Sequence, residues 1–201
     1  QWLEKLEGWA SNPNWENSRY LLLASDMRVL CGETSLLTPV REQFRHMMAD
    51  NPLLLDRLVS NTLYYRVPLG LFGRVLPEVQ GRYRGAVNLK YGVYLPIVNC
   101  VRHFALAHGI FASSTLERLA QLRERGIWIP ALCDEVERHF RQLLGLRLVT
   151  PLHWQEAGYA SCSYIKLKEM SPDTFAMARS AMKLAIRLQR MTAKLPSVFE
   201  G

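Results

Sequence analysis

Two arginines fall on or beside the apolar faces of predicted helices. In PIVNCVRHFAL, residues 96–106, Arg102 lies at the edge of the apolar arc, and His103 is expected to point away from it. A second helix places apolar residues at steps of four, four and three, namely Leu132, Val136, Phe140 and Leu143. The next step of four lands on Arg147. Because arginine is rarely buried without a partner, the position of Arg147 on this core line predicts a group that meets its guanidinium.

The chemistry of these partners stays open at the level of sequence. Arg102 either extends along the surface towards water or a carboxylate, or presents its guanidinium at a seam between helices. Arg147 could meet a carboxylate, a cluster of carbonyls or a bound anion; Asp26 is one internal candidate, and Arg28 lies two residues beyond it. Together with Lys90 the two arginines would suit a phosphate, which guanidinium groups bind through paired hydrogen bonds. Ion pairing inside the protein explains the same residues equally well.

The sequence contains none of the catalytic motifs sought. There is no GxSxG, HExxH or GxxxxGK[ST], and no DxD or ExD pair that would hold magnesium. The four cysteines are widely spaced, without a CxxC or a histidine placed to complete a zinc site, and we predict reduced thiols: Cys31, Cys100, Cys133 and Cys162. We therefore expect this chain alone to lack a catalytic centre, a metal and a cofactor.

Composition fits a folded cytoplasmic protein. The 201 residues suffice for one substantial domain, and no apolar run approaches the roughly 20 residues that cross a bilayer. The formal net charge of +7 favours an acidic partner, which could be a nucleotide, an acidic protein or a nucleic acid. The chain opens on Gln1 rather than methionine, so we expect it to be part of a longer protein.

Helical periodicity dominates the chain and predicts an all-α antiparallel bundle. Glycine-rich turns interrupt it over one long irregular connection, about residues 67–92, which is basic. Expected helices cover residues 1–11, 15–31 with Gly32 as C-cap, about 37–47, 52–63, 96–109, 115–126, 130 to at least 148, and 172 to about 195. A short strand is the alternative within residues 15–31. Ser114 and Glu117 form a predicted capping box around Thr115.

The last predicted helix has two distinct faces. Its apolar stripe consists of Met177, Ala181, Leu184, Leu188, Met191 and Leu195. The opposite face is basic, with Arg179, Lys183, Arg187, Arg190 and Lys194. Such a face could contact nucleic acid, but it lacks interleaved aromatic residues, so a solvated surface is the favoured interpretation.

Several motifs of this chain follow the order seen in a known family. They are DMRVLCGE at 26–33, VPLGLFGRV at 67–75, NLKYGVYLPIVNCVRHFAL at 88–106, STLERL at 114–119, LRL at 146–148, MSP at 170–172 and the Leu188-Gln189 pair. With them the chain resembles the nucleotidyltransferase substrate-binding domain, a helical domain at the C-terminal end of bacterial signalling proteins related to PII-uridylyltransferases. This chain departs from the family in having Asn88 where an aspartate is usual, and Val149-Thr150-Pro151 where polar residues usually follow the arginine.

The resemblance implies a function and an organisation. Residues 1–32 would lead in from an absent upstream region with CBS domains and a catalytic head, and 33–201 would form the substrate-binding domain. The resemblance implies a binding set for nucleotide phosphate or an acidic target protein: Lys90, Arg102, Arg118 and Arg147. It also implies structural polar residues: Asp26, Arg28, Gly32 and Thr115. Mg²⁺ would be needed only with the absent head, and homo-oligomerisation stays open.

Two other functions remain as alternatives. In a protein-interaction or dimerisation module, the arginines would be structural ion pairs. In a nucleic-acid-binding domain, affinity would fall steeply with salt concentration.

Overall fold

The structure, a computed structural model, describes residues 1–63, 65–156 and 163–195. These residues confirm the predicted all-α class. Their helices are α1 (Trp2–Ser11), α2 (Trp15–Ala24), α3 (Thr38–Asp50), α4 (Pro52–Leu63), α5 (Leu95–Ala107), α6 (Thr115–Glu124), α7 (Pro130–Glu156) and α8 (Pro172–Thr192). Two short strands, β1 (Ala86–Asn88) and β2 (Tyr164–Lys166), accompany them. None of the described helices has the length and apolar content needed to span a membrane.

Local sequence signals set most helix starts. Proline occupies the first position of α4, α7 and α8, where its missing N–H costs no hydrogen bond. The predicted capping box is present: Ser114 Oγ accepts from the N–H of Glu117 at 3.1 Å, and the Glu117 carboxylate accepts from the N–H of Ser114 at 3.4 Å. Ser171 Oγ likewise accepts from the N–H of Thr174 at 3.2 Å.

The predicted helix over residues 15–31 is too long. It ends at Ala24, and the hydroxyl of Ser25 donates to the carbonyl of Leu22 at 2.7 Å, an interaction by which serine competes with helix continuation. Gly32 does adopt the left-handed conformation, with a φ of 99°, but it lies beyond the helix and does not cap it. The segment after α2 is therefore free to turn Asp26 towards other elements.

The long connection predicted over residues 67–92 contains short ordered elements. Strand β1 pairs antiparallel with β2, with Val87 opposite Ile165. A 3₁₀ turn spans Leu71–Gly73, and a π-helix spans Lys90–Tyr94 and leads directly into α5. Sequence periodicity did not predict the strand pair, because each strand has only three residues.

The chain divides into two compact units. The first comprises Gln1–Tyr64, Val101–Ile129 and Thr192–Gly201. Its apolar core draws on α1 to α4 and the end of α5, with these fully or almost fully buried residues: Leu6, Leu21, Phe44, Met48, Leu54, Leu55, Leu58 and Leu106. Residues 1–32 thus contribute to this core, and a domain boundary between residues 32 and 33 stays a prediction.

The second unit comprises Tyr65–Cys100 and Pro130–Met191. The apolar stripe predicted for the last helix is buried at Ala181, Leu184 and Leu188. Its basic face is exposed except at Arg179, which is half-buried, and Arg187 of that face forms an ion pair with Glu135 on α7.

Candidate functional site

A three-residue ion cluster lies in the first unit. Asp26 follows the end of α2, and its carboxylate accepts hydrogen bonds from Arg102 on α5 and Arg118 on α6. Arg102 Nε lies 3.3 Å from Asp26 Oδ1, and the Nη2 atoms of both arginines lie closer still to the carboxylate. Two guanidinium groups therefore share one carboxylate.

Burial distinguishes the members of this cluster. The side chain of Arg118 is 1% exposed and that of Arg102 is 12% exposed, whereas that of Asp26 is 28% exposed. Burial lowers the pKa of Arg118, and the neighbouring Asp26 carboxylate counteracts this effect. Arg118 is consequently enclosed by protein, and its hydrogen bond joins α6 to the segment after α2.

The interpretation of His103 as a residue that points away from the core is wrong. His103 is fully buried, because α5 is covered on nearly all sides: Phe104, Leu106 and Ala107 are buried as well. Burial, together with the nearby positive charges of Arg102 and Arg118, lowers the pKa of His103 to about 3. The imidazole is thus neutral near pH 7.

The other residues expected to be structural and polar do not join this cluster. Arg28 is exposed, and Gly32 occupies the turn described above. Thr115 is the first residue of α6 and is 9% exposed, directly after the Ser114 cap. Of the four, the structure places Asp26 in contact with two of the predicted binding arginines, Arg102 and Arg118.

Arg147 lies in the second unit, where its guanidinium carbon is 4.2 Å from the centre of the Tyr94 ring. Phe140 also stacks against Tyr94, with the two ring centres 5.6 Å apart. Among the described residues Arg147 forms no ion pair, and its buried Nε has no hydrogen-bond partner there. Asp26, the internal partner considered for Arg147, pairs with Arg102 and Arg118 instead.

Lys90 belongs to the same unit and begins the π-helix that carries Tyr94. Its ammonium lies 5.1 Å from the ring centre of Tyr91, which stacks against Tyr65 at 5.7 Å. Each of the two tyrosines of this π-helix therefore supports a cation. Cation–π contacts of this kind hold a positive charge without neutralising it.

Close packing fixes the π-helix in place. A Cβ atom added to Gly92, its central residue, would lie 2.8 Å from Pro68 Cδ, so only glycine lets the two segments approach this closely. Sequence reasoning selected Lys90 and Arg147 but missed the tyrosines. The KYGVY stretch could have indicated them, because its lysine lies beside one tyrosine and four residues before the other.

Metal-ligating side chains do not assemble within the described ranges. No group of three or more histidine, cysteine, aspartate or glutamate residues is placed there to hold an ion. Cys31 is exposed, whereas Cys100 and Cys133 are buried; Cys162 lies outside the described residues.

Comparison with known families matches residues 52–195 to a family described as "Putative nucleotidyltransferase substrate binding domain". The matched segment is most of the chain, and the chain therefore belongs to this family. It contains all four predicted binding residues, whereas Asp26 precedes it. Comparisons with curated proteins and with solved structures returned no match.

Proposed function

We propose that this chain is the substrate-binding part of a signalling nucleotidyltransferase related to the PII-uridylyltransferases, and that Arg147 and Lys90 bind phosphate groups of its nucleotide. Family membership supports a substrate-binding role. The assignment of the ligand rests on the side chains of the second unit. A catalytic head elsewhere in the parent protein would supply the Mg²⁺ site and the transfer chemistry.

The observation that carries this proposal is the setting of Arg147. Its guanidinium is partly buried and rests on Tyr94, yet no described carboxylate neutralises it. A buried charge without a counter-ion is costly, and an arriving phosphate would supply both the charge and the hydrogen-bond acceptors that Arg147 lacks. Arginine is well suited to this role because its planar group can stack on a ring and bind an oxyanion at once.

Lys90 and the tyrosines extend the same chemistry. Lys90 is partly buried beside Tyr91 and forms no ion pair with a described residue. Tyr91 is 46% exposed, so part of its ring is accessible to a ligand. Aromatic surface next to a cation favours a ligand with a base as well as a phosphate, which indicates a nucleotide rather than inorganic phosphate.

Arg102 and Arg118 receive a different role in this proposal. Their hydrogen bonds to Asp26 match what the interaction-module alternative expects of structural ion pairs. Arg118 is too enclosed to reach a ligand, so we assign this pair to positioning α5 and α6. Nucleotide binding in the second unit does not depend on them.

Calorimetric titration with UTP and ATP, with and without Mg²⁺, tests the proposal. Arg147→Met and Lys90→Met should each weaken binding by about 10- to 100-fold, because a hydrogen bond to a charged group contributes about 1.5–3 kcal/mol. Arg84→Met, which removes an exposed arginine from the same unit, is the matched control and should leave the affinity unchanged.

Two results would contradict the assignment. Binding of equal strength by wild type and Arg147→Met would remove the arginine from the site. Tight binding of single-stranded oligonucleotides, with affinity that falls steeply as salt rises, would favour the nucleic-acid alternative instead.

A further inference from the structure

An apolar loop tip in the second unit is unusually exposed. Leu71 and Phe72 lie at the turn of a tight hairpin closed by a bridge between Leu69 and Val75. Leu71 is 84% exposed and Phe72 is 99% exposed. Placing two adjacent large apolar side chains in water is unfavourable, and such patches mark interaction surfaces.

The backbone at this tip is also strained. Phe72 has a φ of 58°, and it is the one described residue other than glycine with a positive φ. A bulky residue rarely adopts this left-handed conformation unless its surroundings enforce it. Strained backbone of this kind clusters at functional sites, which makes the tip a candidate for one.

Arg179 on α8 enforces the conformation. Its Nε donates to the carbonyl of Gly73 at 2.6 Å, and its Nη2 donates to the carbonyl of Phe72 at 3.2 Å. Gly73 is packed so closely that an added Cβ would lie 2.9 Å from Arg179 Nη2. The loop backbone is therefore held by α8, while the Phe72 side chain remains in solvent.

Three cationic side chains lie beside this loop. Arg74 directly follows it in sequence, is exposed and forms no ion pair with a described residue. Arg179 contacts the loop backbone, and Lys183 Cε would lie 3.4 Å from a Cβ added to Gly73. Complementary charge steers association, and a buried aromatic anchor supplies most of its strength.

We propose that the Phe72 tip is a docking element for an acidic protein surface that contains an apolar pocket. Phe72 enters the pocket, and Arg74 and Lys183 face carboxylates at its rim. The inference deepens the proposed function, on which it rests, because it assigns the protein partner of a substrate-binding domain to a surface distinct from Arg147.

A displayed library of random 16-residue peptides, selected on the immobilised chain, tests this proposal. Selected peptides should carry apolar residues flanked by Asp and Glu. Measured by fluorescence anisotropy, their binding should weaken at least tenfold in Phe72→Gly, since glycine keeps the left-handed backbone and removes only the ring. Arg74→Glu should weaken binding similarly.

Val79→Ser is the matched control, because Val79 is 75% exposed in the same unit but lies outside the tip. It should bind the selected peptides as wild type does. Arg147→Met should also retain peptide binding, so loss of nucleotide binding and loss of docking are separate results.

Three outcomes would overturn the proposal. The first is failure to enrich any peptide, or enrichment of peptides that bind Phe72→Gly equally well. The second is Phe72-dependent sedimentation with vesicles of phosphatidylcholine and phosphatidylserine in the absence of peptide binding, which would assign the tip to a membrane. The third is a dimer, seen by analytical ultracentrifugation, that Phe72→Gly dissociates, which would assign the tip to a second copy of the chain.

Discussion

Buried His103 should make the stability of this protein depend on pH. Its pKa is about 3 in the folded chain, against 6.5 for an exposed histidine. Because the folded pKa is lowered, the unfolded chain binds the extra proton and stability is lost as pH falls below 6.5. The contribution is fully present above pH 6.5 and declines until pH approaches 3.

The size of the effect follows from this pKa difference. At pH 5, which lies 1.5 units below 6.5, His103 is protonated in the unfolded chain but not in the folded chain. Each unit corresponds to about 1.36 kcal/mol, so the free energy of unfolding should fall by about 2 kcal/mol between pH 8 and pH 5. This is a large share of the stability of an ordinary domain.

Urea unfolding followed by circular dichroism at pH 8 and pH 5 measures this loss. His103→Gln cannot take up the proton, so its loss should be smaller than that of wild type by about 2 kcal/mol. His46→Gln, an exposed histidine on α3, is the matched control and should behave as wild type. An identical pH dependence in wild type and His103→Gln would refute the reasoning.

Two further changes probe the packing of each unit. Asp26→Asn removes the carboxylate shared by two arginines and should lower the free energy of unfolding by about 3 kcal/mol, measured by urea titration. Asp50→Asn, the same change at an exposed aspartate of the same unit, is the control. An unchanged midpoint in Asp26→Asn would show that the ion cluster is not structural. Gly92→Ala places a methyl group 2.8 Å from Pro68 Cδ, and the overpacking should cost about 1–3 kcal/mol and lower the melting temperature. Gly145→Ala is the control, because no heavy atom lies within 4 Å of the added group, and it should not lower the melting temperature. Equal melting temperatures for the two variants would contradict the close approach of Gly92 to Pro68.

Signals that act within a few residues could be read from the sequence. The Ser114 capping box and the prolines that open α4, α7 and α8 determine where helices start through neighbouring atoms alone. The same is true of the all-α class, which follows from repeated apolar spacing. These features needed no knowledge of the tertiary structure.

Features that depend on distant segments could not be read in this way. Asp26 is 76 residues from Arg102 and 92 residues from Arg118, and the sequence offered it as a partner for Arg147 instead. His103 was assigned to the wrong environment because a helical wheel assumes one buried face, whereas α5 is covered almost all around. The display of Phe72 depends on Arg179, more than a hundred residues later.

The central claim is that Arg147 contacts a phosphate of the nucleotide, and the N–H of its Nε atom reports this contact most directly. In an ¹H–¹⁵N correlation spectrum with arginine side chains resolved, this resonance is assigned by its absence in Arg147→Met. Addition of UTP should shift it and slow its exchange with water, because the proton gains the acceptor that it lacks among the described residues. A resonance that stays unmoved at a UTP concentration that saturates binding by calorimetry would contradict the account.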